Sequence, residues 1–242
     1  MVYDFHTHTF FSEGSLSPLE LIYNATVNNY KAIAITARDA SGRTVSVSTT
    51  LTGDVSGVDL SLNYALPTLP LGKVNLSTDW SYLIKTYQIR SPAGGTPTTT
   101  ERLGVSGTTR WRGNGTISWR KNSWNASASA YYIGPWADSS ATTTAAVYSS
   151  LGEPAYISKQ FDSGQYLYRY KVSDVISFNG SLGYRFGKDA AKWLQRSSIK
   201  LGVVNLTDAR PPLASGAFGY SASVHGSLFA GRTWTVEITR QF

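Results

Sequence analysis

The sequence predicts an all-β fold: an antiparallel up-and-down transmembrane β-barrel fragment, preceded by a short N-terminal β-α-β piece. About eight meandering strands are expected, left as an open, curved sheet. Three observations predict this. The terminal segment places Trp234, Val236, Ile238 and Phe242 at one parity and Thr233, Thr235, Glu237, Thr239 and Gln241 at the other. Successive strand side chains flip face, so this strand is apolar on one side and polar on the other. The connections alternate between short turns (67–72, 121–123, 187–197) and long polar stretches rich in Gly, Pro and Ser (88–111, 135–168, 207–230), the layout of a barrel with its long loops on one side. Finally, Trp124 and Tyr132 share a parity eight residues apart, as do Trp234 and Phe242. Eight strand residues span ~26 Å, or about 20 Å vertically at ~40° tilt. That is close to the ~25 Å apolar band between two aromatic girdles.

The first element reads as β-α-β over residues 1–36. Val2 to Thr7 is a short alternating strand. Ser17-Pro18-Leu19-Glu20 combines an N-cap Ser, a Pro at the first helical position and a capping-box Glu. Leu21, Ile22 and Ala25 continue an amphipathic helix, and Lys31 to Thr36 reads as a buried parallel strand. The style then changes, dividing the chain into 1–38 and 43–242. From Arg43 onward, candidate strands are 43–52, 58–66, 74–84, 116–121, 124–134, 170–186, 198–206 and 231–242. Val58, Leu60, Leu62 and Tyr64 alternate with Asp59, Ser61 and Asn63. Val74, Leu76, Thr78, Trp80, Tyr82 and Ile84 alternate with Asn75, Ser77, Asp79 and Ser81.

Composition bounds the function classes. Of 242 residues only 15% are charged while 13% are aromatic. No run of about 18 apolar residues exists, which excludes a transmembrane helix. A mean hydropathy of −0.18 does not argue against a membrane, because half of each spanning strand is polar. The absence of cysteine excludes a disulfide framework and thiolate zinc sites. The net charge is +7, but the basic residues are scattered, so nucleic acid is not an expected partner. Met1 to His6 lacks the basic start, apolar stretch and cleavage site of a signal peptide.

Gly57-Val58-Asp59-Leu60-Ser61-Leu62-Asn63-Tyr64, then Leu201-Gly202-Val203-Val204-Asn205-Leu206-Thr207-Asp208 followed by Arg210-Pro211-Pro212, then Gly219-Tyr220, Gly231-Arg232 and the terminal strand, resemble the carboxy-terminal barrel of TonB-dependent outer-membrane receptors. Thr207 and Arg240 depart from the family's usual occupants. The resemblance implies an outer-membrane location and lipid contact. It also implies recognition by the barrel assembly machinery through the strand ending at Phe242. Complete receptors enclose a plug within about 22 strands and take up siderophores, cobalamin or carbohydrates. The resemblance covers 43–242 and not the plug or TonB box, so transport by this polypeptide alone is not expected. Ligand contacts would fall on inward faces and external loops, such as Trp136, Tyr156 and Tyr168. No catalytic residue and no cofactor are expected.

Asp4-Phe5-His6-Thr7-His8, Ser12-Glu13-Gly14, Ser17-Pro18-Leu19-Glu20 and Ala32 to Thr36 resemble the opening of PHP-family phosphoesterases. There a His-x-His pair at the end of the first strand supplies two metal ligands. The family continues Asp-His where this chain reads Ala37-Arg38, and an Arg cannot ligate a divalent cation. The residual candidate ligands are Asp4, His6, His8 and Glu13. Histidine is otherwise limited to His225, too few for a clustered site. The expectation is therefore no metal site, with a metal-dependent phosphoesterase as the alternative and a soluble β-sandwich binding module as a further one. The Asn-x-Thr triplets at 24, 114 and 205 carry no weight in so Ser/Thr-rich a chain. Gly180-Ser181-Leu182-Gly183 reads as strand packing.

Overall fold

The computed structural model describes residues 4–7, 32–38, 44–51, 55–66, 70–90, 98–162, 164–216 and 218–241. It is dominated by one 11-stranded sheet. Two short strands, β1 (Asp4–Thr7) and β2 (Ala32–Arg38), begin it. The predicted eight then follow as β3 (Thr44–Leu51), β4 (Val55–Ala65), β5 (Lys73–Arg90), β7 (Trp111–Lys121), β8 (Trp124–Ile133), β12 (Val175–Arg185), β13 (Ser197–Val204) and β14 (Thr233–Arg240). Each pairs antiparallel with the next in that order. A four-residue strand, β6 (Thr98–Glu101), adds to the long end of β5. Among the described residues β14 and β1 do not pair, so the sheet is open.

β1 and β2 are parallel, as a β-α-β unit requires, and β2 pairs antiparallel with β3. The helix expected between β1 and β2, and Phe242, lie outside the described residues.

Register decides what the sheet does. Ser61 stands opposite Asp79, Asp79 opposite Asn114, Asn114 opposite Tyr131 and Tyr131 opposite Ser177. Directly opposed residues share a face, so every polar parity from β4 to β14 falls on one side. Two side-chain bonds run across that side: Ser61 Oγ donates to Asp79 Oδ1 at 2.7 Å, and the Ser127 and Ser181 hydroxyls meet at 2.8 Å. Leu60, Leu76, Ile117, Ile176, Leu182, Ile199, Leu201, Trp234, Val236 and Ile238 occupy the other side and are all exposed. The charged residues of that parity in β7 and β14, Lys121 and Arg240, sit at the ends of their strands.

A β-sandwich would seal Trp234, Val236 and Ile238 between two layers. Instead they are 57%, 64% and 74% exposed, and the sandwich alternative fails on this point. Water does not tolerate so large a contiguous apolar face, whereas lipid requires one.

The strand expected over 170–186 is present, interrupted only at 173–174: β11 (Gln165–Val172) runs on into β12 in the same direction, with Val172 opposite Trp136 and Val175 opposite Ile133 in one antiparallel register. One part of the sequence reading needs correction. The stretch 135–168 is not an irregular loop. It holds β9 (Trp136–Thr143), a short helix α1 (Ala145–Ser150) capped by Thr144, and β10 (Ile157–Asp162). With β11 these form a separate three-stranded sheet. The polar sequence of β9 masked a strand whose neighbours supply its pairing.

Among the described residues the buried apolar side chains, Val203 of β13 apart, lie off the main sheet. Leu103, Val105 and Leu228 are buried in the long connections, and Trp136, Ala137, Ile157 and Val172 in the small sheet.

Candidate functional site

The long connections converge into a cap at one end of the polar face. Val105 forms a parallel bridge with Ala137, and Ala137 N donates to Gly104 O at 2.6 Å. Asp138 ties in the third connection: its carboxylate accepts from Ser215 N (2.7 Å), Ser215 Oγ (2.7 Å) and Ser140 N (3.0 Å). Burial pushes the Asp138 carboxyl up, but these donors outweigh it and hold the group below the usual carboxylate value.

Asn205 closes β13 beneath this cap. It is fully buried with φ +54°. Its amide donates to Asn179 Oδ1 at 2.9 Å, its side-chain nitrogen to Ala209 O at 2.8 Å, and its Oδ1 accepts from Ala209 N at 2.8 Å. Asp208, also at positive φ, accepts from Arg232 N at 2.9 Å and so positions the entry to β14. Asn and Asp tolerate the left-handed region better than other non-glycine residues. The element spanning 205–208 is thus a corner that sets the geometry between the last two strands.

Between cap and sheet lies a cleft of about 430 Å³. Asp79, Ser81, Arg112, Asn114, Tyr131, Ser177 and Asn179 line its floor and Ser227 and Leu228 its roof. Arg112 Nε donates to Thr109 Oγ1 (3.0 Å) and its Nη2 to Gly107 O (3.0 Å), so the guanidinium pins the first cap segment to β7. The roof follows a short helix, α2 (Ala222–His225), and a 3-10 turn (Gly226–Leu228). His225 is completely buried, and neither ring nitrogen has a hydrogen-bond partner. Burial, with the nearby Arg112 charge, holds its pKa below 6.5.

Two aromatic clusters mark the apolar face. At the cap end Trp80 lies 6.4 Å from Trp111 and 6.0 Å from Tyr132, and Tyr82 lies 4.5 Å from Trp111. At the turn end Trp124 lies 4.7 Å from Tyr184, which meets Phe186 at 5.1 Å. There Trp119 Nε1 donates to Leu71 O at 2.7 Å. Trp124 and Tyr132, paired in the sequence by spacing, therefore belong to opposite clusters. Between them on the same parity of β8 stand Ala126, Ala128 and Ala130. The Trp80 ring lies directly over Gly113, where a Cβ would come within 2.3 Å of it.

The three residues expected at ligand contacts do not line this cleft. Trp136 is buried in the cap with its Nε1 unpartnered. Tyr156 is exposed and stacks on Tyr170 at 6.3 Å, and Tyr168 packs on Tyr148 at 5.0 Å. Sequence reasoning missed Arg112 and Asp138. The Trp111–Arg112–Gly113–Asn114–Gly115 stretch has glycines where apolar residues would have signalled a strand. Of the residual metal candidates, Asp4 and His6 fall on β1, whose side chains are not described, and His8 and Glu13 lie outside the described residues.

No family model matches the chain. A 36-residue stretch is 58% identical to an uncharacterized protein of Methanocaldococcus jannaschii, covering 15% of this chain and 16% of that protein. Among solved structures the chain is similar to a mutant of the ferric enterobactin receptor of Pseudomonas aeruginosa, at 16% identity and a TM-score of 0.48, over 87% of this chain and 30% of that one. It is likewise similar to a mutant of that receptor in complex with enterobactin, at 16% identity and a TM-score of 0.46, over 87% of this chain and 31% of the receptor. The chain thus spans less than a third of the length of these receptors.

Proposed function

We propose that residues 43–242 are a wall-and-cap segment of an outer-membrane receptor barrel of the TonB-dependent type. The apolar face meets lipid, and the polar face with its cleft meets the solute. The observation that carries this reading is the register. Across β4 to β14 it collects exposed apolar and aromatic residues on one side and Ser, Thr, Asn and charged residues on the other. All long connections gather at one end of that layer. Insertion would proceed through the barrel assembly machinery acting on the strand ending at Phe242. Transport belongs to a complete receptor and not to this segment alone. Residues 1–38 are read as a piece of different origin, similar to a phosphoesterase opening, and the parallel pairing of β1 with β2 supports its β-α-β character.

The test is tryptophan quenching after refolding into vesicles whose acyl chains are brominated. Emission is expected to fall strongly against unbrominated controls, because Trp80, Trp111, Trp124 and Trp234 share the lipid-facing parity. A monomer that stays soluble without detergent and shows no quenching would overturn the reading.

A further inference from the structure

Four features of the cap point to a single device. His225 is sealed from solvent at 0% exposure, with both ring nitrogens unpartnered. It belongs to α2, which leads directly into Ser227 and Leu228, the roof of the cleft. α2 packs tightly on the first cap segment: a Cβ on Gly107 would come within 2.7 Å of Val224. And Gly107 is the residue whose carbonyl Arg112 holds, so the cation whose charge acts on His225 also secures the surface on which α2 rests.

We infer that the cap is an acid-released roof: neutral His225 keeps α2 seated over the cleft, and protonating it lifts the 221–228 segment and opens the cleft. A buried imidazolium would lack both water and a hydrogen-bond acceptor and would be repelled by the Arg112 charge. The charged surroundings offer no relief. Arg112 is the charged side chain acting on the ring. The segment from Gly104 to Thr109 and the rest of α2 carry no titratable group. Asp138 is engaged by Ser215 and Ser140, and Asp79 accepts from Ser61.

The sign follows from linkage. The seated His225 has a pKa below its ordinary 6.5, so the open state binds the proton more readily. Closure is therefore fully favoured above pH 6.5 and is lost as pH falls below it.

The chain contains no cysteine, so one nitroxide can be placed on the full-length protein through Ser223→Cys, on the exposed side of α2. A reference label at Ser123→Cys reads the β7–β8 turn at the other end of the sheet. Spectra taken from pH 8 to pH 4.5 are expected to shift at position 223 from a mainly immobile to a mainly mobile component, starting below pH 6.5, with position 123 unchanged. His225→Phe should abolish the shift; if that variant does not fold, His225→Gln, which cannot titrate, should do the same. A flat response in the unsubstituted cap, or an unchanged midpoint in either variant, overturns the inference. Simultaneous mobilisation at 123 would signify global unfolding and also overturns it. The label reads the cap directly, so the outcome is independent of whether the apolar face lies in lipid.

Discussion

Asp138 illustrates how one side chain can hold a loop-built cap together. It is 4% exposed and joins residues 77 positions apart through two bonds to Ser215. Hydrogen bonds to an ionised group are worth about 1.5–3 kcal/mol each, and a buried group left unsatisfied costs a similar amount. Asp138→Asn is therefore expected to destabilise the protein by about 1–3 kcal/mol at neutral pH, read from the urea midpoint in detergent. Since the folded pKa lies below the ordinary 3.8, the carboxylate's contribution is present above that value. It is lost as pH falls through the depressed one. The wild-type midpoint should drop across that acidic window, and the Asn variant should lose this part of the pH dependence. An equal acid response in both proteins would remove Asp138 as its source.

At the scale of the strand, the two faces make opposite demands, and adjacent residues of β7 test them. Ile117 points to the apolar side at 48% exposure, and Thr116 to the polar side. Ile117→Arg should cost about 2–4 kcal/mol of folding stability in vesicles, as a cation near mid-depth on a lipid face does. Thr116→Arg should stay within about 1 kcal/mol of the parent, because that side already carries Arg112 and Arg120. Similar costs for both substitutions would mean that the two sides face the same medium. All eight wall strands were legible in the sequence, because alternation is written directly into each of them. The strand boundaries were less so. β7 starts five residues earlier than expected, since Gly113 and Gly115 occupy apolar-parity positions. Gly113 is instead covered by the ring of Trp80, a residue 33 positions away that no local pattern reveals. Legibility was poorest in the cap: β9, Asp138 and Arg112 gain their meaning from partners on other connections, and polar loops announce no periodicity.

Across the described residues, the open sheet grades from doubly paired interior strands to singly paired margins. Local opening needs fewer broken bonds at a margin. Hydrogen exchange on the full chain in detergent should therefore be slowest in β5, β7, β8 and β12 and quickest in β1 and β14. Protection in β14 equal to that in β8 would show that another strand covers its free edge. An uncovered edge is also the place where chains join one another, which makes the margins, and not the apolar face, the point at which added strands would extend the wall.

The bond between Asp138 and Ser215 has a further consequence for how the chain matures. The intervening 76 residues include the rest of β9, all of β10 and β11, and then β12 and β13, so this tether spans a long stretch of sequence and belongs to the late, non-local part of folding. The carboxylate can meet its donors only after the wall has grown past β13 and its corner at Asn205 has turned the chain back. A nascent polypeptide stopped anywhere between 144 and 214 would carry Asp138 as a solvated, untethered acid. Docking of Ser215 thus records, in a single contact, that the strands between them have been laid down in the correct sequence.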